Sequence, residues 1–148
     1  MIPASAYVVG IALYIICIVI FVCLTIIAFK KYQDRNFLVG IGISGILFLI
    51  FLFIPYVFLF PVPIVLSLIL GIFAGFLNNN IIRGALSGAL GNLLGWILFS
   101  LIYYWIIIMY FGSYLFGMTV LPSVLCGAGG GAIGGAVGGK IREKRETQ

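Results

Sequence analysis

Two side chains raise the chemical question in this sequence. Arg83 and Asn92 stand in the stretch Leu70 to Gly95, LGIFAGFLNNNIIRGALSGALGNLLG, which is otherwise almost wholly apolar or small. An arginine at the edge of an apolar run can bind an acidic lipid headgroup. Its simpler role is an interfacial anchor, snorkelling to water and avoiding about 2.5–3.5 kcal/mol at a bilayer centre. Asn92 falls inside the apolar run that follows Arg83. Its amide is expected to seek a partner on another helix, a bond worth about 0.6–2 kcal/mol in lipid. Asn78, Asn79 and Asn80 read as the polar turn between two helices.

The remaining candidates for chemistry are few. The chain has no histidine, and its three acidic residues, Asp34, Glu143 and Glu146, fall outside the apolar runs. No paired carboxylates, metal-ligand cluster or nucleophile with a nearby base can be assembled from them. Haem ligation by histidine is excluded, and Met109 and Met118 read as fillers. Cys17, Cys23 and Cys126 lie within apolar runs without metal-ligand spacing, where cysteine acts as a small hydrophobe. Ion-coupled transport usually keeps an ionisable group within the membrane, and none is placed there. The expectation is a chain with no enzymatic activity, cofactor or metal.

Composition places the chain in a bilayer. Of 148 residues, 64% are apolar and only 7% charged, and the mean hydropathy is +1.34. A water-soluble surface needs about 25% charged residues. The fold class expected is an all-α membrane protein of about five transmembrane helices, near 6–29, 37–60, 64–77, 83–110 and 118–139. Residues 1–139 then form a single helical bundle, and residues 140–148 a basic tail. The third helix is short: its 14 residues reach about 21 Å, against a core of about 30 Å. Pro55, Pro61 and Pro63 break or kink the end of the second run. The amino terminus lacks the basic start and small-residue cleavage pattern of a signal peptide.

Charge suggests an orientation. All charged residues fall at Lys30 to Arg35, at Arg83 and at Lys140 to Glu146. Five spans bring these three groups to one side, and lysine and arginine mark the cytoplasmic side. The amino terminus is then outside and the carboxyl terminus cytoplasmic. Tyr7, Tyr56, Tyr103, Tyr104 and Trp105 fall about one membrane thickness away, as an interfacial belt would.

The strongest pattern is glycine. Small residues four apart let membrane helices approach backbone to backbone. Gly71 and Gly75 extend such a row from Ser67, and Gly91 and Gly95 from Ser87; Gly84 and Gly88 lie one turn apart. The last helix has Gly127, Gly131, Gly135 and Gly139 on one row, Gly130, Gly134 and Gly138 on a second, and Ala128, Ala132 and Ala136 on a third. GALSGALG, from Gly84, matches GAIGGAVG, from Gly131, position by position. The hairpin GIFAGFLNNNIIRGALSGALG resembles the glycine-patterned hairpin of small archaeal polytopic membrane proteins whose activity is not known. GAGGGAIGGAVGG is similar to glycine-zipper segments of bacterial membrane-associated antigens. These resemblances cover about a third of the chain and imply tight helix packing, with no activity to carry over.

The function expected is that of a helix-packing scaffold or accessory subunit of a larger membrane complex, in a prokaryotic plasma membrane. Its partners would be other membrane subunits or copies of itself, together with lipids, and not nucleic acid. Two alternatives stand beside it. One is an oligomeric pore or holin-like channel, although no span shows the polar stripe of a water-filled path. The other is a lipid-handling or small transporter module. The last helix, small on three faces, is expected to touch at least two others. The bundle should be narrow at the glycine end and splayed where Trp96, Phe99, Tyr103, Tyr104, Trp105 and Tyr110 stand, with Asn92 near the transition.

Overall fold

A computed structural model describes residues 4–32, 35–53, 62–102 and 119–147. Every regular element among them is a helix: α1 (Ala4–Tyr32), α2 (Arg35–Leu52), α3 (Val62–Asn78), α4 (Ile81–Ile102) and α5 (Leu121–Glu146). By length and composition α2, α4 and α5 can each cross a membrane, while α3 is a shorter apolar helix of 17 residues. The expected helical ends at 53–60 and 103–110 fall mostly or wholly outside the described residues, as do Tyr56, Met109, Met118 and the expected splay from Tyr103 onward. Its nearer part, Trp96 and Phe99, is not splayed but buried against Phe48, Leu52 and Leu70.

At the asparagine turn and at the basic segment the boundaries differ from the sequence reading, each for a local reason. Asn78 belongs to α3, so the turn is only Asn79 and Asn80. Asn79 takes a left-handed backbone, φ 52°, which asparagine tolerates better than most residues. α4 starts at Ile81 because Asn80 caps it: its Oδ1 accepts from Ile82 N at 3.0 Å and Arg83 N at 3.2 Å. The basic segment is no separate tail, since α5 runs unbroken to Glu146. Its lysines, arginines and glutamates are strong helix formers, and Lys144 and Arg145 complement the dipole at its end. Arg142 Nε and Glu146 Oε1, one turn apart, pair at 2.9 Å.

α4 is the central helix and touches the other four, while α5 packs on both α3 and α4. α3 and α5 run parallel, because Leu68, Ile72 and Phe76 meet Gly130, Gly134 and Gly138 in ascending order. α4 runs antiparallel to them and parallel to α2. The described charged residues therefore gather at one end of the bundle, where α1, α3 and α5 finish and α2 and α4 begin.

Side-chain size changes along the bundle. Phe48, Leu52, Leu70, Trp96 and Phe99 form a buried cluster, with Trp96 and Phe99 beyond Asn92 from the charged end. Trp96 meets Phe48 and Phe99 edge to face, with ring centroids 5.8 and 6.0 Å apart. Such pairs add to the dispersion attraction that packs helices in lipid. On the flank of α4, Ala28 of α1 packs with Phe37, Ile41 and Leu90.

Candidate functional site

The candidate site is the place where α3, α4 and α5 meet without side chains between them. It has two layers, each of three glycines. In the first, Gly71 and Gly88 both lie against the carbonyl oxygen of Gly127. In the second, Gly75 and Gly84 both lie against the carbonyl oxygen of Gly131. A methyl added at any of these four would fall on that oxygen. Added at Gly84 it would also lie 3.0 Å from Gly75 Cα, and added at Gly88, 3.1 Å from Gly71 Cα. Gly84 and Gly131, the first residues of the two matching eight-residue segments, are in direct contact.

α5 enters this space with two faces. Gly127, Gly131 and Gly135 face α4, with Gly135 against the Asn80 carbonyl where the α3–α4 turn ends. Gly130, Gly134 and Gly138 face α3, against the carbonyls of Leu68, Ile72 and Phe76. Gly139 lies at the margin, where a Cβ would meet only the Asn79 carbonyl, its oxygen at 3.0 Å. Gly129 points away with open space beside it, on the exposed strip that carries Leu125, Ile133 and Val137.

The other two glycines of the candidate set have a different partner. Gly91 and Gly95 pack on α2, Gly91 against the Ser44 hydroxyl and Gly95 with its Cβ position 2.8 Å from Phe48 Cδ1. Gly45 answers from α2, its Cβ position 3.0 Å from the Gly91 carbonyl oxygen. Ser44 turns its own hydroxyl back onto the Gly40 carbonyl at 2.8 Å, so its polar atom is satisfied within α2. These α2 residues were missing from the sequence-based site. Their signal was the Gly40–Ser44 spacing of four, which is the small-residue row that α2 presents.

Asn92 joins the three helices beyond the first glycine layer. It is fully buried, and its Nδ2 donates to Ser67 O of α3 at 3.2 Å and Ser123 O of α5 at 3.3 Å. The amide rests directly over Gly127, which has no side chain to obstruct it. Near the charged end, Asn78 Nδ2 donates to Ser87 Oγ at 2.9 Å and to Ala74 O at 2.7 Å. Asn78 was expected only as turn; it is buried and ties α3 to α4.

Arg83 is half-buried, and its guanidinium carbon lies 4.9 Å from the Tyr32 ring centroid. A cation over an aromatic face contributes about 0.5–1 kcal/mol at a partly exposed site, so Arg83 fastens the first turn of α4 to the end of α1. Chemically, the arrangement can hold helices in register. Among the described residues, no three histidine, cysteine or acidic side chains could together hold a metal ion. No family model, curated protein or solved structure matches the chain.

Proposed function

We propose that the chain is a multi-pass membrane protein of five spans, amino terminus outside and carboxyl terminus cytoplasmic. Its role is that of a non-catalytic helix-packing scaffold or accessory subunit in a larger assembly within a prokaryotic plasma membrane. Supporting this reading above all is the two-layer glycine contact of α3, α4 and α5, which makes a rigid three-helix unit. Rigidity of this kind suits a part that positions others. Of the polar side chains inside it, Ser87 and Asn92 are turned inward and bonded to neighbouring helices. A pore would need such groups on a face lining a water-filled path.

Both glycine rows of α5 are taken up within the chain, so a partner would meet larger side chains. The strip Leu125, Ile133 and Val137 on α5 is about half exposed or more, and it is offered to lipid or to another subunit. Purification in a mild detergent, followed by mass spectrometry of what co-elutes, tests the reading. A membrane protein in fixed ratio to this chain is expected. A monodisperse monomer with only lipid attached would end the subunit proposal.

A further inference from the structure

The end of α5 carries a second feature, separate from the glycine contact. From Leu121 to Lys140 the helix rises about 30 Å, the thickness of a hydrocarbon core. A helix that enters the core near Leu121 leaves it near Lys140. The last turns, Ile141 to Glu146, then stand at the depth of lipid phosphates. At that level an open cleft of about 410 Å³ separates α5 from the end of α3. Its volume lies within the range of about 300–1,000 Å³ typical of small-molecule sites.

The walls of the cleft are of two kinds. Phe76, Leu77 and Ile141 are apolar; Asn79, Arg142 and Arg145 are polar or cationic. At its base Gly138 brings the backbones together: a Cβ there would lie 2.7 Å from Asn79 Oδ1 and 2.8 Å from Phe76 O. The Arg142 guanidinium, paired with Glu146 Oε1 at 2.9 Å, stands beside the opening. Phe76 and Ile141 are 44% and 40% exposed, so the apolar wall continues onto the surface that faces lipid.

We propose that this cleft binds the phosphate group of an anionic phospholipid. Arg142 and Arg145 take the phosphate oxygens, because the planar guanidinium matches phosphate geometry with paired N–H donors. Asn79 offers an uncharged donor, and the first methylenes of the lipid lie along Phe76 and Ile141. Basic pockets between helices at a charged membrane face suit such headgroups. A free phosphate shares the charge but has no use for the apolar wall, and that difference separates the two sources.

The test is native mass spectrometry of the full chain released from mild detergent after incubation with phosphatidylglycerol, phosphatidylcholine or inorganic phosphate. One phosphatidylglycerol per chain is expected to be retained, and phosphatidylcholine several-fold less. An Arg142→Ala/Arg145→Ala variant should lose retention, at least about tenfold for each guanidinium, the loss expected of a charge-assisted hydrogen bond. A Lys140→Ala/Lys144→Ala variant removes the same charge outside the cleft and should retain lipid as the unaltered chain does. Equal loss in both variants would overturn the site and leave only diffuse attraction by a basic helix end. Retention of inorganic phosphate without phospholipid would overturn the lipid as its source. All four substituted residues are exposed, so elution as a single folded peak provides the control for folding.

Discussion

Gly75 lies against the carbonyl oxygen of Gly131, with no side chain between them. The contact is backbone on backbone and cannot yield as a flexible side chain would. A methyl on Gly131 would itself fall on the Gly84 carbonyl oxygen. Gly131→Ala should therefore lower the melting temperature in detergent, by an overpacking cost of about 1–3 kcal/mol. Gly129→Ala, two residues away and facing open space, should leave the temperature unchanged or raise it, since alanine is the better helix former. Thermal unfolding followed by size exclusion compares them, and identical shifts would refute the layered contact.

The α2–α4 contact predicts a rescue. A methyl at Gly91 would fall on the Ser44 hydroxyl and lie 2.9 Å from Ser44 Cβ, with Ile41 O at 3.2 Å. Gly91→Ala should be destabilising, and adding Ser44→Gly should restore part of the loss. The coupling expected is about 0.5–3 kcal/mol, the range for residues in contact. A double variant no better than the sum of its parts would argue against this pairing.

Asn92 gives a third prediction. Asn92→Ala removes both bonds from Nδ2, to Ser67 O and Ser123 O. Each receiving carbonyl is a helix carbonyl with its own backbone donor, so the loss should be modest, about 1–2 kcal/mol. Reversible denaturation in mixed micelles measures it. Unchanged stability would remove Asn92 from the contact.

Topology is tested chemically. In a chain with Cys17, Cys23 and Cys126 replaced by alanine, a Gln148→Cys thiol should resist a membrane-impermeant reagent in intact cells. It should react once the cells are opened. Labelling from outside intact cells would reverse the proposed orientation.

Much of the architecture could be read from residue types alone. The helical class and the membrane followed from apolar run lengths and scarce charge. Glycine was legible because a residue without a side chain, repeated every four positions in an apolar helix, has few other uses. The partner of each glycine was not legible. Gly84 and Gly91, like Gly88 and Gly95, are seven apart and return to within about 20° of one helical face. Spacing alone gives no ground to divide them, yet Gly84 and Gly88 meet α3 and α5 while Gly91 and Gly95 meet α2. The relative placement of neighbouring helices decides that division, and no local spacing encodes it. The three asparagines were hidden differently: identical residues in succession bond between helices, turn the backbone and cap the next helix.

The two-residue link between α3 and α4 has a consequence for how the chain is made. Synthesis proceeds from the amino end, so this hairpin can close before α5 has left the ribosome. α5 is the least apolar of the three helices long enough to span, and its glycines add little to its own insertion into lipid. The groove that receives it, floored by Gly71, Gly75, Gly84 and Gly88, belongs wholly to that earlier hairpin. Entry of the last helix is thus expected to be a templated step of biogenesis, in which earlier parts of the chain serve as the surface on which the final part is accepted.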